Sequence, residues 1–228
     1  MDSYGNEMEL EVVCMSRRLS HRVLTCIASM LLVSANTSEA QPLEESLYSV
    51  ETRWADAAYR TAGRQQSKAL KSLLADIREL HKSHPGRAEV AAWHGIVART
   101  YVDVRGSMSL AREARDALLV AESLDPLVLG GLVYANLGAL YFNVPSSLGR
   151  FGNKTKGIGY LWKAIVVDPE GIDSNYLYAR VLLDEKNYGA ARDALIRAKD
   201  SPARPNHPEA DFARKLEVEN LLASSPTR

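Results

Sequence analysis

Cysteine is nearly missing from this sequence: Cys14 and Cys26 are the only two in 228 residues. Both fall in the first forty positions, a segment unlike the remainder, so the body of the chain holds no thiol. That excludes disulfides, a thiol nucleophile and a cysteine-held zinc from it. A surplus of charge is missing too. The 28 Lys and Arg balance 28 Asp and Glu, which removes the electrostatic footprint of a nucleic-acid binder. Strict apolar–polar alternation, the mark of a half-buried strand, is almost absent. What is present is ordinary globular material, 46% apolar and 25% charged, enough for one domain or two small ones and against wholesale disorder.

The first forty residues read as a leader. Arg17, Arg18 and Arg22 precede an apolar run from Val23 to Ala35, and Ser38-Glu39-Ala40 supplies the small residues that a signal peptidase reads. The run is shorter than the about 20 residues of a membrane span. Residues 1–40 are therefore expected to be a signal peptide cleaved before Gln41, with residues 41–228 forming the mature domain. Asp2, Glu7, Glu9 and Glu11 are acidic where a leader is basic, which points to Met15 as the true start. Twin-arginine export, cleavage after Ala35, lipidation at Cys26 and an uncleaved anchor remain alternatives. Cleavage before Gln41 leaves 25 basic and 23 acidic side chains, still near neutrality. The expected location is the periplasm, with membrane contact only through an uncleaved leader.

From Gln41 onward apolar residues recur at intervals of three and four. Leu70, Leu73, Leu74, Ile77 and Leu80 make one stripe, and Leu110, Ala114, Leu118 and Ala121 another. The class is all-α, with stops at His84-Pro85-Gly86, Asp125-Pro126, Asp168-Pro169 and Pro202 to Pro208. Small residues and prolines also repeat. Gly95, Ala114, Ala121 and Pro126 return as Gly138, Gly157, Ala164 and Pro169, each displaced by 43. Ala179, Ala191 and Ala198 follow at displacements of 41, 34 and 34, and 34 is the period of a tetratricopeptide (TPR) repeat. Tyr134, Leu137, Gly138 and Tyr141 reproduce the first-helix face of that repeat. Gly138 to Gly157 spans 19 residues where Ala179 to Ala191 spans 12, so seven residues are inserted in the turn, and Gly95 to Ala114 carries the same excess.

The expected architecture is a TPR-like α-solenoid of about four helix pairs and a capping helix. The pairs are 44–62 with 66–83, 88–104 with 108–124, 128–143 with 154–167, and 173–185 with 188–199, followed by 207–223. Such pairs stack into a right-handed superhelix whose concave face is lined by the first helices.

Leu137-Gly138-Ala139-Leu140-Tyr141, Val144-Pro145, Phe151-Gly152 and Pro169-Glu170-Gly171-Ile172-Asp173-Ser174-Asn175-Tyr176 together resemble one group. They look like the exported TPR proteins of proteobacteria that are similar to the T component of TRAP-type solute transporters, the TatT-like family. The likeness covers roughly residues 88–205. It departs from the pattern at Ser146 to Arg150, where a bulkier stretch is usual, and at Asn153, where an Asp is usual. The resemblance implies a TPR superhelix with a transporter accessory role, in which a small ligand sits within the superhelix.

Other constellations are weaker. Gly149 to Thr155 lacks the glycine spacing and the Gly-Lys step of a phosphate loop, though Arg150, Lys154 and Lys156 beside a helix start make a candidate anion loop. Asp168, Glu170, Asp173 and Asn175 do not follow the order of a calcium loop, and Asp173 is expected to cap the next helix. His81 and His84 have no third ligand nearby in sequence and read as solvated histidines, so no metal or cofactor is expected. No nucleophile–His–acid arrangement is recognisable, and the expectation is a protein that is not an enzyme. The candidate binding residues are those flanking the first-helix consensus, Ile96, Arg99, Ala135, Ala139, Phe142, Tyr176 and Arg180, which suit an acidic or extended peptide or a small anionic solute. The expected partner is another periplasmic or envelope protein, including a transporter's solute-binding protein, and the expected role is binding or scaffolding.

Overall fold

The computed structural model describes residues 42–147, 149–204 and 208–226. The predicted leader and its cleavage point lie outside the described residues. The chain divides at Tyr48 into two units. Of the first, residues 42–48 are described, and they are helical. Everything below concerns the second.

That unit opens with α1, residues 49–60, which ends in a π-helical turn, Asp56–Arg60. There follow α2 (Gly63–Ser83), α3 (Ala88–Arg105), α4 (Met108–Leu124), α5 (Leu132–Asn143), α6 (Lys154–Val167), α7 (Ile172–Asp184), α8 (Tyr188–Asp200) and α9 (Pro208–Ser224). No strand occurs among the described residues. α3 packs on α4, α5 on α6 and α7 on α8, while the first helices stack in the order α3, α5, α7. α2 lies on α3, and α9 closes the array against α7 and α8. This is an all-α, TPR-like solenoid, as the repeated small residues predict.

Those small residues are the crossing points. A Cβ on Gly138 would stand 2.9 Å from the Gly157 carbonyl oxygen and 2.6 Å from Leu161 Cγ, and a Cβ on Gly95 would meet the Leu118 side chain and the Ala114 carbonyl in the same way. The 43-residue recurrence is therefore the contact of α3 with α4 repeated as the contact of α5 with α6. Around it Leu118, Ala121, Leu161, Ala164, Leu195 and Ala198 are sealed from solvent, each large side chain contributing about 1.5–3 kcal/mol of burial. The second helices also start alike: Ser107, Asn153 and Asn187 accept hydrogen bonds from the backbone N–H of Leu110, Lys156 and Ala190.

Three details differ from the sequence reading. α5 begins at Leu132 rather than 128, because Leu129 and Gly130 turn left-handed at φ 54° and 60°, and Gly131 lies so close to α6 that a Cβ would come to 2.5 Å from the Ala164 carbonyl oxygen. The seven extra residues after Gly95 lengthen helices instead of the turn. α3 runs on to Arg105, and Gly106 at φ 64° makes a tight turn into α4. After Gly138 the same excess forms a loop, 144–153, fastened by Asn153 N–H to the Tyr141 carbonyl (2.7 Å) and by Arg112 to the Gly149 carbonyl (2.6 Å). Finally, Asp173 is not a cap: α7 starts on Gly171 without a side-chain cap.

Candidate functional site

α1 lies on the face that the first helices share. Trp54 donates its indole N–H to Thr100 Oγ1 of α3 at 2.8 Å and meets the Trp93 ring edge-on at 5.5 Å. Five residues on, Tyr59 sits edge-on to Trp54, and Arg214 of α9 stands 5.1 Å from its ring and 4.2 Å from that of Tyr176 on α7. The π-helical turn touches both α2 and α9. A helix of this chain thus packs on the first helices α3 and, through Arg214, α7, whose shared face the sequence reading expected to carry the binding residues.

Beneath it is a buried ion network. Asp173, 5% exposed, accepts from Arg214 Nε at 2.7 Å and from Arg204 at 3.3 Å. Arg204 also binds Asp211 through its side chain and its backbone N–H, and Arg214 binds Glu217. Burial opposes ionisation of Asp173, but the two guanidiniums prevail and hold its carboxyl below the usual range. Asn175 donates to the Pro169 and Gly171 carbonyls and accepts from Arg197. The oxygen-rich run after Asp168 is therefore divided between an ion network and a turn, and no metal-holding cluster occurs among the described residues.

A cavity of about 380 Å³ opens between α1, the α4–α5 turn, the start of α7 and the segment before α9. Its walls include Glu51, Trp93, Leu132, Asp168, Glu170 and Arg204. Burial pushes Glu51 up to about 7 against the pull of Arg204, and burial also raises Asp168. Acidic side chains outnumber the guanidinium here, with Glu51 only partly ionised near neutral pH, so the space favours cationic over anionic contents as pH rises above 7. A second cavity of about 220 Å³ is walled by Arg99, Asp103, Asn143 and Arg150.

The candidate residues are distributed as follows. Ile96, Ala135, Ala139, Phe142 and Tyr176 are buried. Arg99 is fixed by Asn136 Oδ1 (2.6 Å) and Asp103 (3.1 Å). Arg180 is exposed and stands 5.9 Å from the Tyr176 ring. Arg99 borders the smaller cavity, and neither Phe142 nor Arg180 borders either one. In the candidate anion loop Lys154 binds Glu185 at 3.0 Å and covers the Phe142 ring, while Lys156 donates to the Tyr141 hydroxyl at 2.9 Å. Arg150 lies at the other cavity. His81, read as solvated, is half-buried and bonded to His94 of α3.

Sequence reasoning missed Glu51, Arg204, Arg214 and the seat of Trp54: Thr100 lies 46 residues from Trp54, and Asp173 lies 31 and 41 residues from Arg204 and Arg214. It also missed two solvent-facing apolar pairs on the second helices: Val120 and Leu124 on α4, and Trp162 and Val166 on α6, the last two 54% and 74% exposed. A signal for these exists, since each pair is spaced by four and stands off the buried stripe of its own helix, Ala114-Leu118-Ala121 on α4 and Gly157-Leu161-Ala164 on α6.

Stacked helix pairs with close glycine and alanine crossings define the class, a TPR-like solenoid. No protein-family model matches the chain, and no curated protein does. Among solved structures it is similar to one titled "Crystal structure of MamA", at 17% identity over 70% of this chain and 88% of that one, with a TM-score of 0.43.

Proposed function

We propose that this protein is a non-catalytic scaffold that binds another protein through the solvent-facing side of its second helices. The observation that carries this is the exposed pair Trp162 and Val166, one turn apart on α6. The Trp162 ring meets Tyr178 of α7 at 5.7 Å and keeps its outer half in water beside a second apolar side chain. An exposed apolar patch of this kind marks interaction surfaces, and tryptophan is enriched among the residues that dominate binding energy there. Val120 and Leu124 extend apolar surface onto α4, which Glu122 ties to α6 through Tyr160 and Lys163. The leader-like residues 17–40 support export, and the partner then belongs to the periplasm or the envelope.

The test is native mass spectrometry of the full chain purified gently from its own cell envelope, with Trp162→Ser and Val166→Asp alongside. We expect a defined protein partner on the wild type, lost from both variants while their melting curves stay unchanged. A partner retained by both variants overturns the docking face. The mass of the chain reads whether cleavage falls before Gln41.

A second reading is favoured by the 380 Å³ cavity: an accessory of a TRAP-type transporter that holds a small solute. The carboxylates of Glu51, Asp168 and Glu170 suit a cationic solute better than an organic acid. A small molecule retained in the same spectra supports this reading, and Trp93→Ala should release it.

A further inference from the structure

Two histidines join α2 to α3. His81, in the last turn of α2, faces His94 of α3 with Nδ1 to Nδ1 at 2.8 Å and rings edge to face at 5.1 Å. The other nitrogen of His94, Nε2, stands 2.8 Å from Glu113 Oε1 on α4. Arg78 of α2 grips the same carboxylate through two N–H groups, each at 2.6 Å. Burial opposes the charge on Glu113, yet the hydrogen bonds from Arg78 and His94 hold its carboxyl below the usual range. It is therefore an acceptor, and His94 gives it the Nε2 proton.

That assignment leaves one proton for the contact between the rings. A hydrogen bond between two like nitrogens needs an N–H on one side and a lone pair on the other. The neutral pair satisfies this, with His81 Nδ1–H donating to His94. A pair with one added proton satisfies it as well, whichever ring carries the charge. A second added proton sets N–H against N–H at a separation that admits only one hydrogen, and places two imidazolium charges beside Arg78 with Glu113 as the facing carboxylate.

We propose that the His81–His94 pair is an acid-sensitive latch, whose second protonation parts the last turns of α2 from α3. The other charged groups near this junction are already matched. Asp76 of α2 pairs with Arg53 of α1 at 2.6 Å, Lys82 pairs with Glu79 on the exposed side of α2, and Arg87 meets Glu89 at the start of α3. None of these supplies a spare anion to a doubly charged pair. Burial, with His94 second, lowers the His81 pKa in agreement with the geometry. Upstream, Leu70, Leu73, Leu74 and Ile77 keep the apolar face of α2 seated, so the opening is confined to the segment after Ile77. It goes beyond the scaffold reading and does not depend on it: acid loosens the junction between the N-terminal helices and the repeats.

The experiment is a pH titration of the full chain by NMR, following the imidazole C–H signals, together with amide hydrogen exchange over residues 77–84. We expect the His81 ring to take up its proton below the ordinary histidine range. The local opening constant, corrected for intrinsic exchange, should rise on acidification by at most about tenfold per pH unit, the limiting slope of one proton. His81→Gln keeps an N–H for His94 but takes up no proton, and its opening constant should be flat over the same range. Titration of His81 at the ordinary histidine value overturns the latch, as does acid-dependent opening of 77–84 that His81→Gln leaves intact. Were that variant not to fold, the wild-type titration alone decides.

Discussion

Two glycines in α6 show how differently one residue type acts two positions apart. Gly157 is at the crossing with α5, where a Cβ would stand 2.8 Å from both the Gly138 carbonyl oxygen and the Phe142 backbone nitrogen. Both are main-chain atoms, which can yield only if the helices separate. Gly159 is exposed, and a Cβ there would meet nothing within 4 Å. Gly157→Ala should destabilise by about 1–3 kcal/mol, the cost of overpacking, while Gly159→Ala should stabilise by about 0.5–1 kcal/mol by removing the flexibility of glycine from a helix interior. Opposite shifts of the urea midpoint check both at once. The first residue is legible in the sequence because it recurs as the equivalent of Ala114. The second has no counterpart in the pattern, and only the open space around it shows that it is dispensable.

Between elements, α9 is fastened to α7 by charge as well as by apolar contact. Asp173 lies between Arg214 and Arg204, and Arg214 is 8% exposed. Asp173→Ala removes the buried carboxylate shared by the two guanidiniums, leaves Arg214 with the half-exposed Glu217 alone, and should cost about 3–5 kcal/mol, measured by urea denaturation at neutral pH. Because the folded carboxyl is held below its ordinary value of 3.8, the contribution is complete above that value and is lost only as pH falls through the lowered one. The helices and most of their ends were legible from periodicity, prolines and small residues, since those signals are local. The network was not. Asp173 and Asn175 were visible as an oxygen-rich run, but their partners Arg214 and Arg197 are 41 and 22 residues further on, and nothing in spacing reports that. The seat of α1 escaped for the same reason, as Trp54 and Thr100 are 46 residues apart. A repeat pattern describes what is alike between units, whereas the candidate site is built where α1 and α9 break the repeat.

At the scale of the molecule two half-buried groups act on stability in opposite directions. Glu51 has an ordinary value of 4.5 and is pushed up to about 7 in the fold, chiefly by burial. The folded state then binds the extra proton, so this contribution is complete below 4.5 and is lost as pH rises through 7. His81 works the other way. Its folded pKa lies below the ordinary 6.5, so the unfolded chain binds the proton more readily and stability falls as pH drops beneath 6.5. The two ranges overlap between 4.5 and 6.5, so in the wild type the slopes partly offset one another, and removing either group uncovers the slope of the other. Glu51→Gln should raise stability at pH 8 by about 1 kcal/mol, a figure reduced for the group's partial exposure to solvent, and should change nothing near pH 4. His81→Gln should abolish the loss of stability that sets in as pH drops beneath 6.5, and leave the Glu51 slope uncovered. Urea midpoints across this range separate the two. If both substitutions change the slope with the same sign, the cavity carboxylate and the histidine latch belong to a single coupled network. If they change it with opposite signs, acid strengthens the seat of α1 while loosening α2, and one change of pH moves the two ends of the N-terminal pair in opposite senses.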